Sequence, residues 1–189
     1  MEIKNLVKVY DEAISQGDVN KIIMYCKSVE EFQKGKIGDN IGVEDTNIRK
    51  VLLHEVAPVK KSMTMAFIHN FLKTTFFQYF FRYKQETGCT LNMNFLNEMS
   101  ILKYEPGHFF KPHFDAGTSP VRNMSFILML NNDYEGGQLS FFDPDCKTNE
   151  YTVDVKPGRL IIWPSYWMFP HGVKPVTKGI RYAIVSWGQ

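Results

Sequence analysis

The sequence predicts a mainly β domain with helical support: an antiparallel sandwich or jelly roll of about eight strands, its N-terminal helices packed on the larger sheet. Three observations carry this. Beyond residue 98, short apolar runs alternate with Gly, Pro, Asn and Asp at regular intervals. Before it, apolar residues recur at helical spacing. A chain of 189 residues, 44% hydrophobic and 22% charged, is long enough to bury a core and too apolar to stay disordered.

The elements follow in order. Ile3, Leu6, Val7, Tyr10 and Ile14 fall at helical intervals and predict a first helix that breaks at Gly17. Asp18 is the expected N-cap of a second helix carrying Ile22, Ile23 and Cys26. Residues 34–61, opening with "KGKIGDNIGVEDTNIRK", read as a loop leading into a short strand near Arg49 to Val56. Ser62 is placed to cap a long helix that stops at Gly88. In it Phe67, Phe71, Phe77, Phe80 and Phe81 predict a broad apolar face against the sheet. Strands are then expected near 99–104, 109–115, 122–130, 138–142, 151–155, 159–163, 170–174 and 180–187. No repeat divides the chain, so 1–189 reads as a single domain: 1–98 as helical support with a substrate loop, 99–189 as the β core.

Bulk properties narrow the function. A net charge of +2 argues against a nucleic-acid clamp. Cys26, Cys89 and Cys146 are odd in number and far apart, which suits neither a disulfide framework nor a zinc finger and points to a reducing compartment. The N-terminus lacks an apolar signal-like run, and no stretch reaches the roughly 18 apolar residues of a membrane span. A cytoplasmic protein is expected, and a virus-encoded one acting in its host's cytoplasm would share these features.

The chemistry concentrates in "EPGHFFKPHFDAGTSP", 105–120. On a strand, His113 and Asp115 point to one face and can share one ion. The tripeptide alone is a weak signal: with five His and nine Asp, about a quarter of such chains contain it by chance. His171 and Arg181 strengthen it. A hairpin turning near 176–179 is expected to set His171 opposite Ala183, with Arg181 diagonal to it on the same face. Alternation turns Arg181, Ala183, Val185 and Trp187 inward, and a guanidinium inside an apolar barrel requires an anion. Two histidines and a carboxylate with open positions are the facial triad of non-haem iron oxygenases, although zinc accepts the same ligands. The inward arginine favours iron with a carboxylate-bearing cosubstrate. His108, outside the two-residue alternation, reads as a rim histidine, and Gly136-Gly137 as a tight turn or bulge.

"YEPGHFFKPHFD" (104–115), "RNMSFILMLN" (122–131), "GGQLSFF" (136–142), "VKPGRLIIWPS" (155–165) and "HGVKPVTKGIRYAIVSW" (171–187) resemble the Fe(II)/2-oxoglutarate dioxygenases, most closely their prolyl 4-hydroxylase-like branch. The resemblance runs in order through 99–189. It implies a double-stranded β-helix, catalytic Fe(II) on His113, Asp115 and His171, and 2-oxoglutarate held by Arg181. It also implies that Tyr104 hydrogen bonds near the cosubstrate and that Trp187 lines the pocket. The implied reaction uses O2, with ascorbate as reductant, and couples C–H hydroxylation to decarboxylation of 2-oxoglutarate to succinate and CO2. A carboxylate at Asp115, in place of a small residue that would free a position for halide, points to hydroxylation. Arg49 and Arg122 are candidate substrate contacts.

Two positions depart from the family pattern. Ser125 stands where Thr is usual; it keeps the hydroxyl and is a candidate to help anchor the cosubstrate. Met129 stands where the oxygen-sensing prolyl hydroxylases place a tyrosine on the oxoglutarate carboxylate. The expected partner is a proline-containing peptide or protein, with a small molecule, free amino acid or nucleobase as the alternative substrate. The non-enzyme alternative is a jelly-roll binding module with a vestigial metal site. Neither a membrane nor a nucleic acid is an expected partner.

Overall fold

The computed structural model describes residues 3–37, 42–56, 62–117, 120–148 and 150–189. Parts of the expected 34–61 loop, at 38–41 and 57–61, lie outside these residues. The elements are β1 (Lys8–Tyr10), α1 (Gln16–Ser28), β2 (Gln33–Lys34), β3 (Arg49–Lys50), β4 (Leu52–Glu55), α2 (Met63–Thr87), β5 (Leu96–Tyr104), β6 (Phe109–His113), β7 (Met124–Met129), β8 (Glu135–Gly136), β9 (Leu139–Phe141), β10 (Tyr151–Val153), β11 (Leu160–Pro164), β12 (His171–Val173), β13 (Val176–Lys178) and β14 (Arg181–Gly188).

Seven strands form a major sheet in the order β1-β11-β7-β14-β5-β4-β2, and five form a minor sheet, β10-β9-β12-β6-β3. All their pairings are antiparallel. The eight strands expected after residue 98 are β5, β6, β7, β9, β10, β11, β12 and β14. Strands β7 and β14 are buried on both faces because the major sheet is the middle layer. Phe126, Leu128, Tyr182 and Ile184 face the helices, meeting Ile68, Leu72, Phe76 and Phe80 of α2. Ile127, Met129, Ala183 and Val185 face inward, meeting Leu139, Phe141 and Val173 of the minor sheet. Phe76, fully buried, stacks on Phe126 with ring centroids 5.4 Å apart. Truncating such a ring costs about 3–5 kcal/mol.

The N-terminal half departs from expectation in four places. The expected first helix is a 3-10 turn (Ile3–Leu6) followed by β1, whose Lys8–Tyr10 pair with Leu160–Ile162. An open edge of the major sheet overrides the local helical spacing, which fits either reading over so few residues. The cap of α1 is Ser15, whose Oγ accepts from the Asp18 N–H and donates to its carboxylate, so Asp18 sits inside the first turn. The expected strand at 49–56 is two, split at Val51: β3 joins the minor sheet and β4 the major, so this segment crosses between layers. On α2, capped by Ser62 and ended by left-handed Gly88, the buried face is Ile68, Leu72, Phe76, Phe80 and Tyr83. Phe67 and Phe81 are solvent-exposed, because a helix so rich in phenylalanine does not reveal its inner face by composition. Among the described residues no helix is long and apolar enough to cross a membrane.

Candidate active site

His113 ends β6 and His171 begins β12, and the register of these neighbouring strands pairs them directly. Asp115 lies two residues past β6, where Ala116 N–H donates to the Ser165 carbonyl at 2.8 Å and ties the segment to the end of β11. Of the titratable residues described, His113, Asp115 and His171 alone form a group able to hold a metal, with one ligand atom from each within 4.8 Å of the others. His113 Nε2 is 3.5 Å from Asp115 Oδ1, and His171 Nε2 is 3.3 Å from Oδ2. Each Nδ1 faces a backbone carbonyl, Lys111 at 2.8 Å and Phe169 at 3.1 Å. A carbonyl only accepts, so both Nδ1 atoms carry the proton and both Nε2 lone pairs turn to the centre, as a metal requires.

Burial by itself would raise the Asp115 carboxyl, but the two imidazoles, His171 foremost, hold it well below the usual carboxylate range. Burial lowers His113, and His171 beside it acts the same way. Burial also works against charge on His171, yet Asp115 outweighs it and raises that imidazole. The cluster therefore offers an ionised carboxylate flanked by imidazoles, the donor set of a divalent metal. Ser125 Oγ donates to Asp115 Oδ2 at 2.7 Å and meets Ser165 Oγ at 2.8 Å. The hydroxyl expected near the cosubstrate thus stands behind the Asp115 carboxylate.

Arg181 enters from the opposite sheet. The expected hairpin does not form: β12 pairs with β6 and β9, while β14 pairs with β5 and β7. His171 faces His113 and Phe141, and Ala183 faces Leu102 and Met129. The intervening turn is taken up by β13, which pairs with β8. The inward side of β14 is nevertheless as expected, with Arg181 1% exposed. Its guanidinium lies over the Tyr104 ring at 5.0 Å, and among the described residues neither buried terminal nitrogen makes a well-formed hydrogen bond. A buried, unpaired guanidinium is the signature of a missing anion. Tyr104, which carries the guanidinium, also lines the cavity that holds His113, Asp115 and His171.

Other expected residues line the same space. Trp187, Arg49, His113 and Asp115 border one cleft of about 520 Å³, with Arg122 at its side, and His171 lines the smaller cavity behind it. Arg122 lies over the Trp187 ring at 4.0 Å, and Arg49 over Phe110 at 4.6 Å. His108 is buried, contrary to its reading as a rim residue, and it stands outside the metal cluster. The sequence reading missed four contributors. Phe110 stacks on His113 with centroids 3.5 Å apart, Trp163 meets His171 edge-on at 4.8 Å, and Ser165 backs Ser125. Tyr134 lies beside Arg181: burial raises its phenol, and the guanidinium's charge and a weak hydrogen-bonding contact, too poorly aligned to satisfy either terminal nitrogen, oppose the rise. Its signal was the glycine pair that follows. At Gly137 (φ +64°) a Cβ would come within 3.1 Å of Arg181 Cδ and 3.2 Å of the Tyr134 ring. At Gly136 it would strike the Pro175 carbonyl.

Two facing antiparallel sheets that carry a two-histidine, one-carboxylate triad and a buried arginine define the architecture of a non-haem iron oxygenase. Residues 99–189 match the family described as the 2OG-Fe(II) oxygenase superfamily. The family implies Fe(II), 2-oxoglutarate and O2, which the donor set and Arg181 fit. Among curated proteins, human prolyl 3-hydroxylase 2 is 44% identical over 66 residues, 35% of this chain and 9% of the human protein. The match thus spans a small part of that relative's length. Among solved structures, a Pseudomonas putida prolyl-4-hydroxylase superimposes with a TM-score of 0.75 at 19% identity, covering 97% of this chain and 92% of that one. A Trichoplax adhaerens prolyl hydroxylase, solved with a peptide fragment of the hypoxia inducible factor oxygen degradation domain, gives 0.77 at 19%, covering 97% and 83%. These two likenesses establish the fold.

Proposed function

We propose that the chain is an Fe(II)/2-oxoglutarate-dependent hydroxylase acting on proline within a peptide or protein. The observation that carries the oxygenase reading is Arg181, a buried guanidinium with no well-formed hydrogen bond at its terminal nitrogens, stacked on Tyr104, which lines the triad cavity. Proline is supported by the local identity to a prolyl 3-hydroxylase and by a fold shared with prolyl 4-hydroxylases. The whole chain is proposed to act as one unit, since β1, β2 and β4 extend the major sheet and β3 the minor one. Three free cysteines suit the reducing cytoplasm expected for it.

Bound at this site, Fe(II) and 2-oxoglutarate supply the oxidising power for C–H hydroxylation, with succinate and CO2 as coproducts and ascorbate as the proposed reductant. The chain's residues provide position. His113 and His171 present fixed Nε2 lone pairs, and Asp115 presents an oxygen whose direction is set by Ser125. Arg181 pairs with the far carboxylate of the cosubstrate, its plane steadied by the Tyr104 ring. Trp187, Trp163 and Phe110 wall the centre with rings and keep bulk water from it.

The test is anaerobic addition of Fe(II) and 2-oxoglutarate, which is expected to give a visible charge-transfer band that His171→Ala abolishes. Aerobic incubation with proline-containing peptides is then expected to add one oxygen atom per succinate formed, read by mass spectrometry. Tight zinc binding with no such band would overturn the oxygenase reading. Oxygen insertion into free amino acids alone would overturn the peptide one.

A further inference from the structure

Seven buried side-chain polar atoms among the described residues have no hydrogen-bond partner, and six of them are obligate donors. Two belong to Arg181 and are accounted for by the cosubstrate. The other four are Arg49 Nε, Arg122 Nε, Trp163 Nε1 and Trp187 Nε1, all on residues that border the metal cleft or the cavity behind it. A site lined by unpaired donors is built for a ligand rich in acceptors.

Charge narrows the ligand further. The cleft carries Lys34, Lys36, Arg49 and Arg122 against Glu98 and Asp115, and Asp115 is committed to the metal. Both guanidiniums lie over rings that border the cleft, and a ring contact restrains a guanidinium while leaving donors for bidentate pairing. Phe110, which carries Arg49, is itself stacked on His113, so this cation is tied to a metal ligand through one ring. Arg49 spends Nη1 on the Lys36 carbonyl at 2.8 Å and has no carboxylate partner among the described residues. Arg122 gives Nη2 to Glu98 Oε2 at 3.2 Å, but that carboxylate is 49% exposed. Glu98 is the extra residue of a bulge in β5, held at φ 43°, where Ser186 pairs with Met99 and Trp187 with Asn97. A strained bulge that turns a carboxylate onto Arg122 is a device for holding that arginine at the cleft.

We propose that Arg49 and Arg122 form a cationic clamp that selects peptides carrying aspartate or glutamate beside the hydroxylated residue. The proposal rests on the peptide-hydroxylase reading and adds the class of sequence that the site accepts.

The experiment uses the full chain loaded with Fe(II) and 2-oxoglutarate, and peptide triplets that differ only in Asp, Asn or Lys next to proline. Hydroxylation of the Asp peptide is expected to be about tenfold more efficient than of its Asn isostere, as for one charge-assisted contact. The gap is expected to shrink with added salt and to close in Arg49→Gln/Arg122→Gln, with Arg122→Gln alone as the milder variant. The charge-transfer band verifies that each variant is folded. Equal Asp and Asn rates in the unaltered chain, or a gap that survives in the double variant, would overturn the clamp and leave the hydroxylase reading standing. Fluorescence anisotropy of labelled peptides separates the remaining case. Preferential binding of Asp peptides with no oxygen gained at proline supports the clamp and overturns proline as the target.

Discussion

Replacing Arg181 with methionine should make the ligand-free protein more stable while destroying its response to 2-oxoglutarate. Arg181 is 1% exposed, and among the described residues neither of its terminal nitrogens makes a well-formed hydrogen bond. Each unsatisfied donor costs about 1–3 kcal/mol, and the contact with the Tyr104 ring returns about 1–2 kcal/mol. Methionine fills most of the arginine stem with no polar atom to desolvate. The net gain is about 2 kcal/mol, which for a chain of this size raises Tm by about 4–8 °C. Cosubstrate at a hundred times its Kd should add about 2.7 kcal/mol to the unaltered protein and nothing to the variant. Thermal unfolding followed by circular dichroism, with Mn(II) and with or without 2-oxoglutarate, reads both effects. A ligand-free variant that melts below the unaltered protein would show that the guanidinium is already paired. A variant whose Tm still rises with 2-oxoglutarate would remove Arg181 from the cosubstrate site.

Ser125→Ala removes the donor on Asp115 Oδ2 and should weaken metal binding about tenfold to a hundredfold in a Co(II) titration, with Ser125→Thr restoring it; unchanged affinity would leave Ser125 a packing residue. Cys26 is 1% exposed, and burial pushes its thiol up to about 12. Iodoacetamide should therefore label Cys89 and Cys146 in the native protein and reach Cys26 only after unfolding, as read by peptide mass spectrometry. Hydrogen bonds from Arg159 and then Lys156 bring the Asp11 carboxyl down from 3.8 to about 2. The folded-state value is depressed, so the stabilisation is present above pH 3.8 and is lost as pH falls towards 2. Asp11→Asn should flatten that limb of an acid titration by a small amount, since the pair is exposed.

The β core was legible because its signals are local. Each strand after residue 98 lies between turn residues, and the alternation in "RYAIVSW" sorts Tyr182 and Ile184 from Ala183 and Val185 without reference to the rest of the fold. The grouping of His113, Asp115 and His171 was legible because their spacing recurs in a known order. What escaped depends on pairing at a distance. Strand β1 exists because the edge at β11 needs a partner, and the buried face of α2 depends on how it lies across β7. The hairpin from His171 to Arg181 was wrong for the same reason: a turn near 176–179 fits both a direct hairpin and a crossing between layers. Nothing within the segment shows that β13 pairs with β8. Tyr134 was invisible because a tyrosine in a polar loop carries no pattern, although the glycines after it did.

That crossing matters for how the site comes into being. His113 and His171 are neighbours on the minor sheet, whereas Arg181, Tyr104 and Ser125 belong to the major sheet. The minor sheet alone aligns two imidazoles, but the direction of the Asp115 carboxylate depends on Ser125 across the interface, and so does any anion that bridges to Arg181. Ligands that draw from both layers are bound only when the layers are closed, so their binding energy adds to the energy of closing the sandwich. Metal and cosubstrate should thus stabilise the protein more together than the sum of each alone, with Ser125 and Arg181 as the two places where that coupling can be cut.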